Sequence, residues 1–259
     1  MEAPYRHVVV SHDADLGIVT MNRPERRNAL SEAHMLELTR ALRALGERED
    51  VRAVVLAADG PVFCAGHDFA DMVERGLDAM RQLFAVCTEL MLTLHRLPRP
   101  VVAQVQGIAT AAGCQLVASC DLAVAAEGAS FATPGGRGAW FCTTPMVAVS
   151  RAVGRKRALE MLFTGDAIDA RTALDWGLVN RVVPAEALAA EAARLARAAS
   201  RGSVASKAIG KRAFYDTIDL DLDAAYAQAS EVMAASSMRP EARAAMRAFL
   251  ERRSGATRR

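Results

Sequence analysis

The sequence predicts an α/β fold built on parallel crossover connections, followed by a region that is helical throughout. Three observations predict it. Short apolar, β-branched runs at residues 51–58 and 101–105 are each followed by a small-residue turn and then by helical spacing. The same strand, turn and helix punctuation therefore occurs twice, and units of this type stack as turns of a spiral. Beyond Pro145 the apolar residues recur almost entirely at helical spacing.

Element by element, residues 7–11 and 16–21 are β-rich runs around His12-Asp-Ala-Asp15 and Gly17, which reads as a hairpin. Pro24 then breaks the strand. Ser31 is placed to start a helix whose apolar face is Leu36, Leu38, Leu42 and Leu45, ending at Gly46. A strand follows at 51–58, a loop at 59–68, and a helix at about 80–96 that Pro98 and Pro100 terminate. Residues 101–105 form a buried strand, 107–113 a small-residue turn that opens a helix to about Ser119, and 122–126 another strand. The later helices are expected at 146–153, 156–163, 170–176 (capped by Asp169, stopped by Gly177) and 185–199, then 203–215, 222–235 and 241–252. This divides the chain into a core at 1–195 and a helical subdomain at 196–259 suited to oligomerisation. The basic end, Glu251-Arg-Arg-Ser-Gly-Ala-Thr-Arg-Arg259, reads as a frayed, solvated tail.

Composition narrows the function. The 259 residues carry 32 Lys plus Arg against 30 Asp plus Glu, a net charge of +2. That balance lacks the basic excess of a nucleic-acid or anionic-membrane surface, so any anionic partner is met locally. The five cysteines, Cys64, Cys87, Cys114, Cys120 and Cys142, have no metal-binding spacing, and their odd number argues for reduced thiols. Residues 1–10 have no apolar stretch of signal-peptide type, and no run approaches the roughly 20 apolar residues that cross a bilayer. A cytoplasmic protein with no metal, no nucleic acid and no membrane partner is expected. No phosphate loop or dinucleotide fingerprint occurs.

Two turns carry the candidate chemistry. Cys64-Ala-Gly-His-Asp68 and Ala109-Thr-Ala-Ala-Gly-Cys-Gln115 each place small residues where a strand gives way, so that backbone N–H groups point outward unobstructed. The pair reads either as an oxyanion hole or as two tight packing turns; spacing alone leaves both open.

An ordered set of motifs resembles the crotonase, or enoyl-CoA hydratase/isomerase, family. It comprises Asn22-Arg-Pro, Asn28-Ala-Leu30, Phe63-Cys-Ala-Gly-His-Asp68, Gln106-Gly107, Ala112-Gly-Cys-Gln-Leu-Val-Ala-Ser-Cys-Asp121 and Ser130-Phe-Ala-Thr-Pro134. Arg151-Ala-Val-Gly154, the run from Ala158 to Gly165, and Trp176-Gly-Leu-Val-Asn180 extend it, covering roughly residues 5 to 185. The subgroup of enoyl-CoA hydratase domain-containing proteins is the nearest in pattern. The resemblance implies a crotonase-like spiral of ββα units, a homotrimer or dimer of trimers, and an acyl-CoA thioester as substrate. Coenzyme A then arrives as part of that substrate, with no permanently bound cofactor. It assigns the thioester carbonyl to the backbone N–H groups of His67 and Ala112, catalysis to His67, Ala112 and Gln115, and coenzyme A binding to Arg26, Arg27, Ala29, Ala65, His67, Asp68 and Ala112.

The sequence departs from that family where its hydratases carry two glutamates. The matching positions are Gln115 and Gly135, and no Asp or Glu occurs anywhere in 135–144. An amide is no proton shuttle near neutral pH, and glycine has no side chain. Each general acid or base contributes about 10²–10⁴ in rate, so hydration is expected to be weak or altered. His67 remains as a candidate acid, base or thioester donor. The expected function is therefore a thioester enzyme working through a stabilised enolate. Its alternatives are a catalytically silent acyl-CoA-binding protein, or a decarboxylase or thioesterase that uses His67. Asp68 is read as bracing its loop, Cys142 as an apolar thiol rather than a nucleophile, and Trp140 and Phe141 as lining the acyl pocket or the core.

Overall fold

The computed structural model describes residues 4–256, and the chain divides into two compact units after Ser200. The first opens with the hairpin β1 (Val8–Asp13) and β2 (Leu16–Met21), then α1 (Glu32–Glu47), whose first turn is capped by Ser31 Oγ accepting from His34 N. There follow β3 (Ala53–Ala58), β4 (Val62–Cys64), α2 (Leu77–Arg96), β5 (Val101–Val105), β6 (Ile108–Thr110), α3 (Ala112–Ser119), β7 (Leu122–Ala126) and β8 (Ser130–Ala132). The unit closes with α4 (Pro145–Val153), α5 (Arg155–Thr164), β9 (Ile168–Asp169), α6 (Ala170–Trp176), β10 (Arg181–Val183) and α7 (Leu188–Ala199).

The strands form two sheets, in the orders β1-β2-β3-β5-β7-β10 and β4-β6-β8-β9. Successive strand pairs β3/β4, β5/β6 and β7/β8 each give one strand to each sheet, and the pairs β3/β5, β5/β7, β4/β6 and β6/β8 are all parallel. That is a spiral in the α/β class, as the punctuation predicts, and its ββα turns are those that the resemblance implies. Alternation splits the large sheet's side chains between two cores. Val54 and Leu56 face α1, α2 and the second sheet, while Ala53, Val55, Val102 and Val124 pack on Leu188, Ala192 and Ala196 of α7.

Several expectations are corrected. The loop at 59–68 and the turn at 107–113 contain β4 and β6, β8 follows β7, and the segment after Pro145 contains β9 and β10. These strands are two or three residues long, too short to show alternation, and exist because neighbouring strands, parallel except for the antiparallel β8/β9 pair, supply their hydrogen bonds. α2 begins three residues before the expected start, and α7 runs past residue 195 with Leu195 and Ala196 buried. The second unit contains α8 (Val204–Thr217), α9 (Leu222–Ser237) and α10 (Pro240–Ala256). α10 continues through the stretch read as a frayed tail, up to Ala256; Thr257, Arg258 and Arg259 lie outside the described residues, as do Met1, Glu2 and Ala3 of the amino-terminal reading.

Glycine decides how closely the two spiral turns approach. A Cβ on Gly107 would stand 2.0 Å from the Pro61 carbonyl oxygen, and one on Gly113 would stand 2.2 Å from that of Cys64. Gly113→Ala, which would favour a helix by about 1 kcal/mol on propensity alone, is therefore expected to destabilise by about 2 kcal/mol as the overpacked contact wins. Urea unfolding at pH 7 reads the difference.

His34 is fully buried on α1, its Nδ1 3.2 Å from the Ala29 carbonyl oxygen and its Nε2 unpartnered. Burial holds its pKa down to about 4. Between pH 6.5 and about 4 the unfolded chain binds a proton that the folded chain refuses, so stability is full above pH 6.5 and falls by about 3 kcal/mol across that window. His34→Gln should flatten this acid-side loss while lowering stability at pH 7, measured as the midpoint of urea unfolding against pH.

Candidate functional site

The site grows from a polar brace between the proline turn and the first glycine turn. Pro24–Arg26 form one 3₁₀ turn, after which Arg27 and Asn28 take the left-handed conformation at φ 53° and 52°. Asparagine tolerates this conformation, and Asn28 is also fully hydrogen-bonded. Its amide nitrogen donates to the carbonyls of Asp59 and Val62 at 2.8 Å each, and its Oδ1 accepts from Arg23 N at 2.9 Å. The Arg23 guanidinium donates to the Ala29 carbonyl, to Ser31 Oγ and to Asp68 Oδ2, the last at 3.2 Å in a largely buried pair. Asp68 thus braces its loop, and its other oxygen accepts from Ala70 N at 3.2 Å.

Backbone pairing aims the next groups. Leu30 N donates to the Gly66 carbonyl at 2.7 Å, and Asp68 N donates to the Leu30 carbonyl at 3.1 Å. Among the described residues, the N–H of the residue between, His67, has no hydrogen-bond acceptor. On the second turn Ala111 N donates to the Ala132 carbonyl at 2.9 Å, and Ala111 itself stands at φ 51°, ψ −117°. An alanine in that region stores about 1–3 kcal/mol of strain. It also turns the N–H of Ala112, the first residue of α3, out of the helix without an internal acceptor. Gly66, at φ 90°, brings the turns together: a Cβ there would stand 3.0 Å from Ala111 Cβ and 3.4 Å from Ala112 N.

Both turns open into one cavity of about 820 Å³. Arg26, Arg27, Ala29, Ala65, His67, Asp68 and Ala112 all line it, so the structure gathers every residue expected to bind coenzyme A. Gln115 is not among the lining residues. It is buried on α3, three residues past Ala112, with Oε1 unpartnered. Asp68 is the single carboxylate on the lining among the described residues, and Arg23 holds it. Arg26 and Arg27 are exposed at the mouth.

The His67 ring packs edge-on against Phe84 of α2, with centroids 5.3 Å apart, and neither ring nitrogen has a hydrogen-bond partner of acceptable geometry. Burial lowers its pKa, opposed in part by the Leu30 carbonyl and the Asp71 carboxylate, so the imidazole is neutral at pH 7. Phe84 is a site residue that sequence reasoning missed, because its position on an amphipathic helix reads as core. Trp140 and Phe141 line the cavity, as does Cys142. Burial raises the Cys142 thiol, whose Sγ lies 3.3 Å from Gly135 N, and pushes Cys64 and Cys114 up to about 12. Neutral thiols of this kind are poor nucleophiles. Among the described residues no cluster of His, Cys, Asp or Glu is placed to hold a metal ion, and no helix is long and apolar enough to cross a membrane.

Gly135 is sealed. A Cβ there would stand 2.2 Å from the Trp140 carbonyl oxygen and 2.8 Å from Cys142 Sγ, and one on Gly136 would stand 2.5 Å from the Leu162 carbonyl oxygen. Neither glycine has room for a side chain along this backbone path. Gly135→Ala should cost about 2 kcal/mol in urea unfolding. Gly128→Ala, which meets nothing within 4 Å, should stay within about 0.5 kcal/mol of the parent.

The family profile described as enoyl-CoA hydratase/isomerase matches residues 12–256. A mouse protein named enoyl-CoA hydratase domain-containing protein 3, mitochondrial, is 44% identical over 236 residues, 91% of this chain and 79% of its own. The crystal structure of an enoyl-CoA hydratase from Mycobacterium smegmatis superposes with a TM-score of 0.91 at 48% identity, covering 96% of this chain and 97% of that one. That of human enoyl coenzyme A hydratase domain-containing protein 3 gives 0.91 at 40% identity, covering 95% and 98%. The spiral fold and the resemblance to the domain-containing subgroup are thereby shown. The cytoplasmic setting expected from the reduced cysteines is corrected: several animal relatives at this level of identity are named as mitochondrial proteins, and reduced thiols do not distinguish the two compartments.

Proposed function

The chain belongs to the enoyl-CoA hydratase/isomerase family, and from that premise we propose that it binds an acyl-CoA thioester and stabilises its enolate, with little capacity for hydration. One observation carries this reading: the N–H groups of His67 and Ala112 both lack acceptors among the described residues and belong to turns that line one cavity. A thioester oxygen placed between them accepts two hydrogen bonds, and these strengthen as the oxygen gains charge. Removing one such donor in a comparable site costs roughly 10²–10³ in rate. Arg26 and Arg27 at the mouth supply cations for the phosphates of coenzyme A, and the Arg23–Asp68 pair keeps the lining carboxylate from repelling them.

Protonic chemistry is what the cavity lacks. Gln115 is an amide, Gly135 has no side chain, and the carboxylate of Asp68 is held by an arginine. A water therefore has no base to activate it and the α-carbon no acid to protonate it, apart from His67. The unpartnered, neutral imidazole favours a second reading, in which His67 delivers or accepts the one proton that decarboxylation or thioester hydrolysis requires. A third is a silent acyl-CoA binder. We also read the second unit as the oligomerisation element of a trimer. No residue of α8 or α9 is buried, and Phe214, Leu222, Tyr226 and Met233 are exposed. Such a unit has no core of its own and gains one by association.

The test pairs calorimetry with turnover. Acetyl-CoA should bind, and loss of the conjugated thioester of crotonyl-CoA should run at least about 10⁴-fold below an enzyme that has both carboxylates. Hydration at tens per second overturns the reading. Gln115→Glu alone should not restore it, and His67→Ala should abolish any residual reaction while sparing binding of acetyl-CoA within about tenfold.

A further inference from the structure

A continuous file of rings leads from the reactive corner to the surface. His67 meets Phe84 at 5.3 Å between centroids, Phe84 meets Trp140 at 5.8 Å, and Trp140 meets Phe69 at 6.3 Å. All four line the cavity. Exposure rises along the file: Phe84 is half-buried, Trp140 is 46% exposed and Phe69 is 70% exposed. Val73, whose N–H donates to the Phe69 carbonyl at 3.1 Å, adds a side chain that is 76% exposed. The cavity's volume, about 820 Å³, lies toward the upper end for small-molecule sites. A two-carbon acyl group held at His67 would leave the outer rings facing water.

Resting on the thioester reading above, we propose that the acyl group is a long, unbranched apolar chain. It leaves the oxyanion corner between Phe84 and Trp140 and lies along Trp140 and Phe69, so that Phe69 and Trp140 set chain-length preference. The occupant follows from continuity. The exposed rings are the outer end of the same cavity whose inner end holds the carbonyl, and an alkyl chain in extended form is the ligand shape that touches a row of rings in sequence. Each methylene brought from water onto apolar surface is worth about 0.8 kcal/mol, up to roughly fourfold in affinity.

Calorimetry of the full chain with acetyl-, butyryl-, octanoyl- and lauroyl-CoA tests this. Affinity should rise through the series, and Phe69→Ser should lower the lauroyl-to-acetyl affinity ratio by about tenfold, with Phe69→Leu retaining most of it. Trp140→Ser should act in the same sense; because Phe69 is mostly exposed, its variants stand even if Trp140→Ser unfolds. Equal binding across the series overturns the inference while leaving the thioester reading intact. An unchanged ratio in the Phe69 variants also overturns it, and if their oligomeric mass shifts instead, the rings are a contact between copies. Failure of every acyl-CoA to bind overturns the thioester reading and this inference with it.

Discussion

The site depends on one steric fact: two carbonyl oxygens, those of Pro61 and Cys64, stand where the side chains of Gly107 and Gly113 would begin. Main chain touches main chain there, and only that approach lets the turn after β4 and the turn before α3 present their N–H groups to the same cavity. The strain at Ala111 belongs to the same arrangement. Its φ of 51° sets the direction in which α3 starts, and the helix beyond it holds that direction. A single flexible loop would have to order both donors at each binding event. Here the order is built into the packing of the spiral, in keeping with preorganised dipoles stabilising developing charge better than mobile ones.

The first glycine turn of the site is held by polar rather than apolar contacts. Arg23 reaches Ala29, Ser31 and Asp68, and Asn28 reaches Asp59 and Val62. The side chains of Arg23, Asn28, Ser31 and Asp68 are buried or nearly so, where an unmet hydrogen bond costs about 1–3 kcal/mol. The network therefore tolerates no partial arrangement, and it fixes the proline turn, the glycine turn and the start of α1 in one geometry. It also sets the electrostatics of the cavity, since Asp68 is satisfied by Arg23 and leaves Arg26 and Arg27 as uncancelled positive charge at the mouth.

Much of this was legible in the sequence, and the exceptions have physical causes. β5, β7, α3 and α6 follow from valine runs, glycine stops and the Asp169 cap, all local signals. β4, β6, β8 and β9 are two or three residues long and form because the spiral lays a neighbour beside them, which no window of sequence contains. The two turns that line the cavity were legible from their small residues, whereas singling out the N–H groups of His67 and Ala112 rests on the motif resemblance, since a backbone N–H leaves no mark in composition. Phe84 was not. Its spacing on α2 places it among core positions, and only the crossing of that helix over the cavity makes it a lining residue. Gln115 shows the converse, for a residue assigned to the chemistry by alignment is buried on α3 away from the lining.

Positions 115 and 135 differ in kind. At 115 a side chain is present, an amide buried on α3. At 135 there is no room for one: the Trp140 carbonyl and the Cys142 sulfur occupy the space into which a side chain would grow. A neutral thiol, raised by burial and close to Gly135 N, lines the cavity beside that glycine. The same excursion from Pro134 to Pro145 brings Trp140 over the cavity, against Phe84 and Phe69. The lack of room for a side chain at 135 and the apolar wall at Trp140 are thus properties of one segment. A wall of rings is apolar, and electrostatic interactions strengthen beside apolar surface that displaces water.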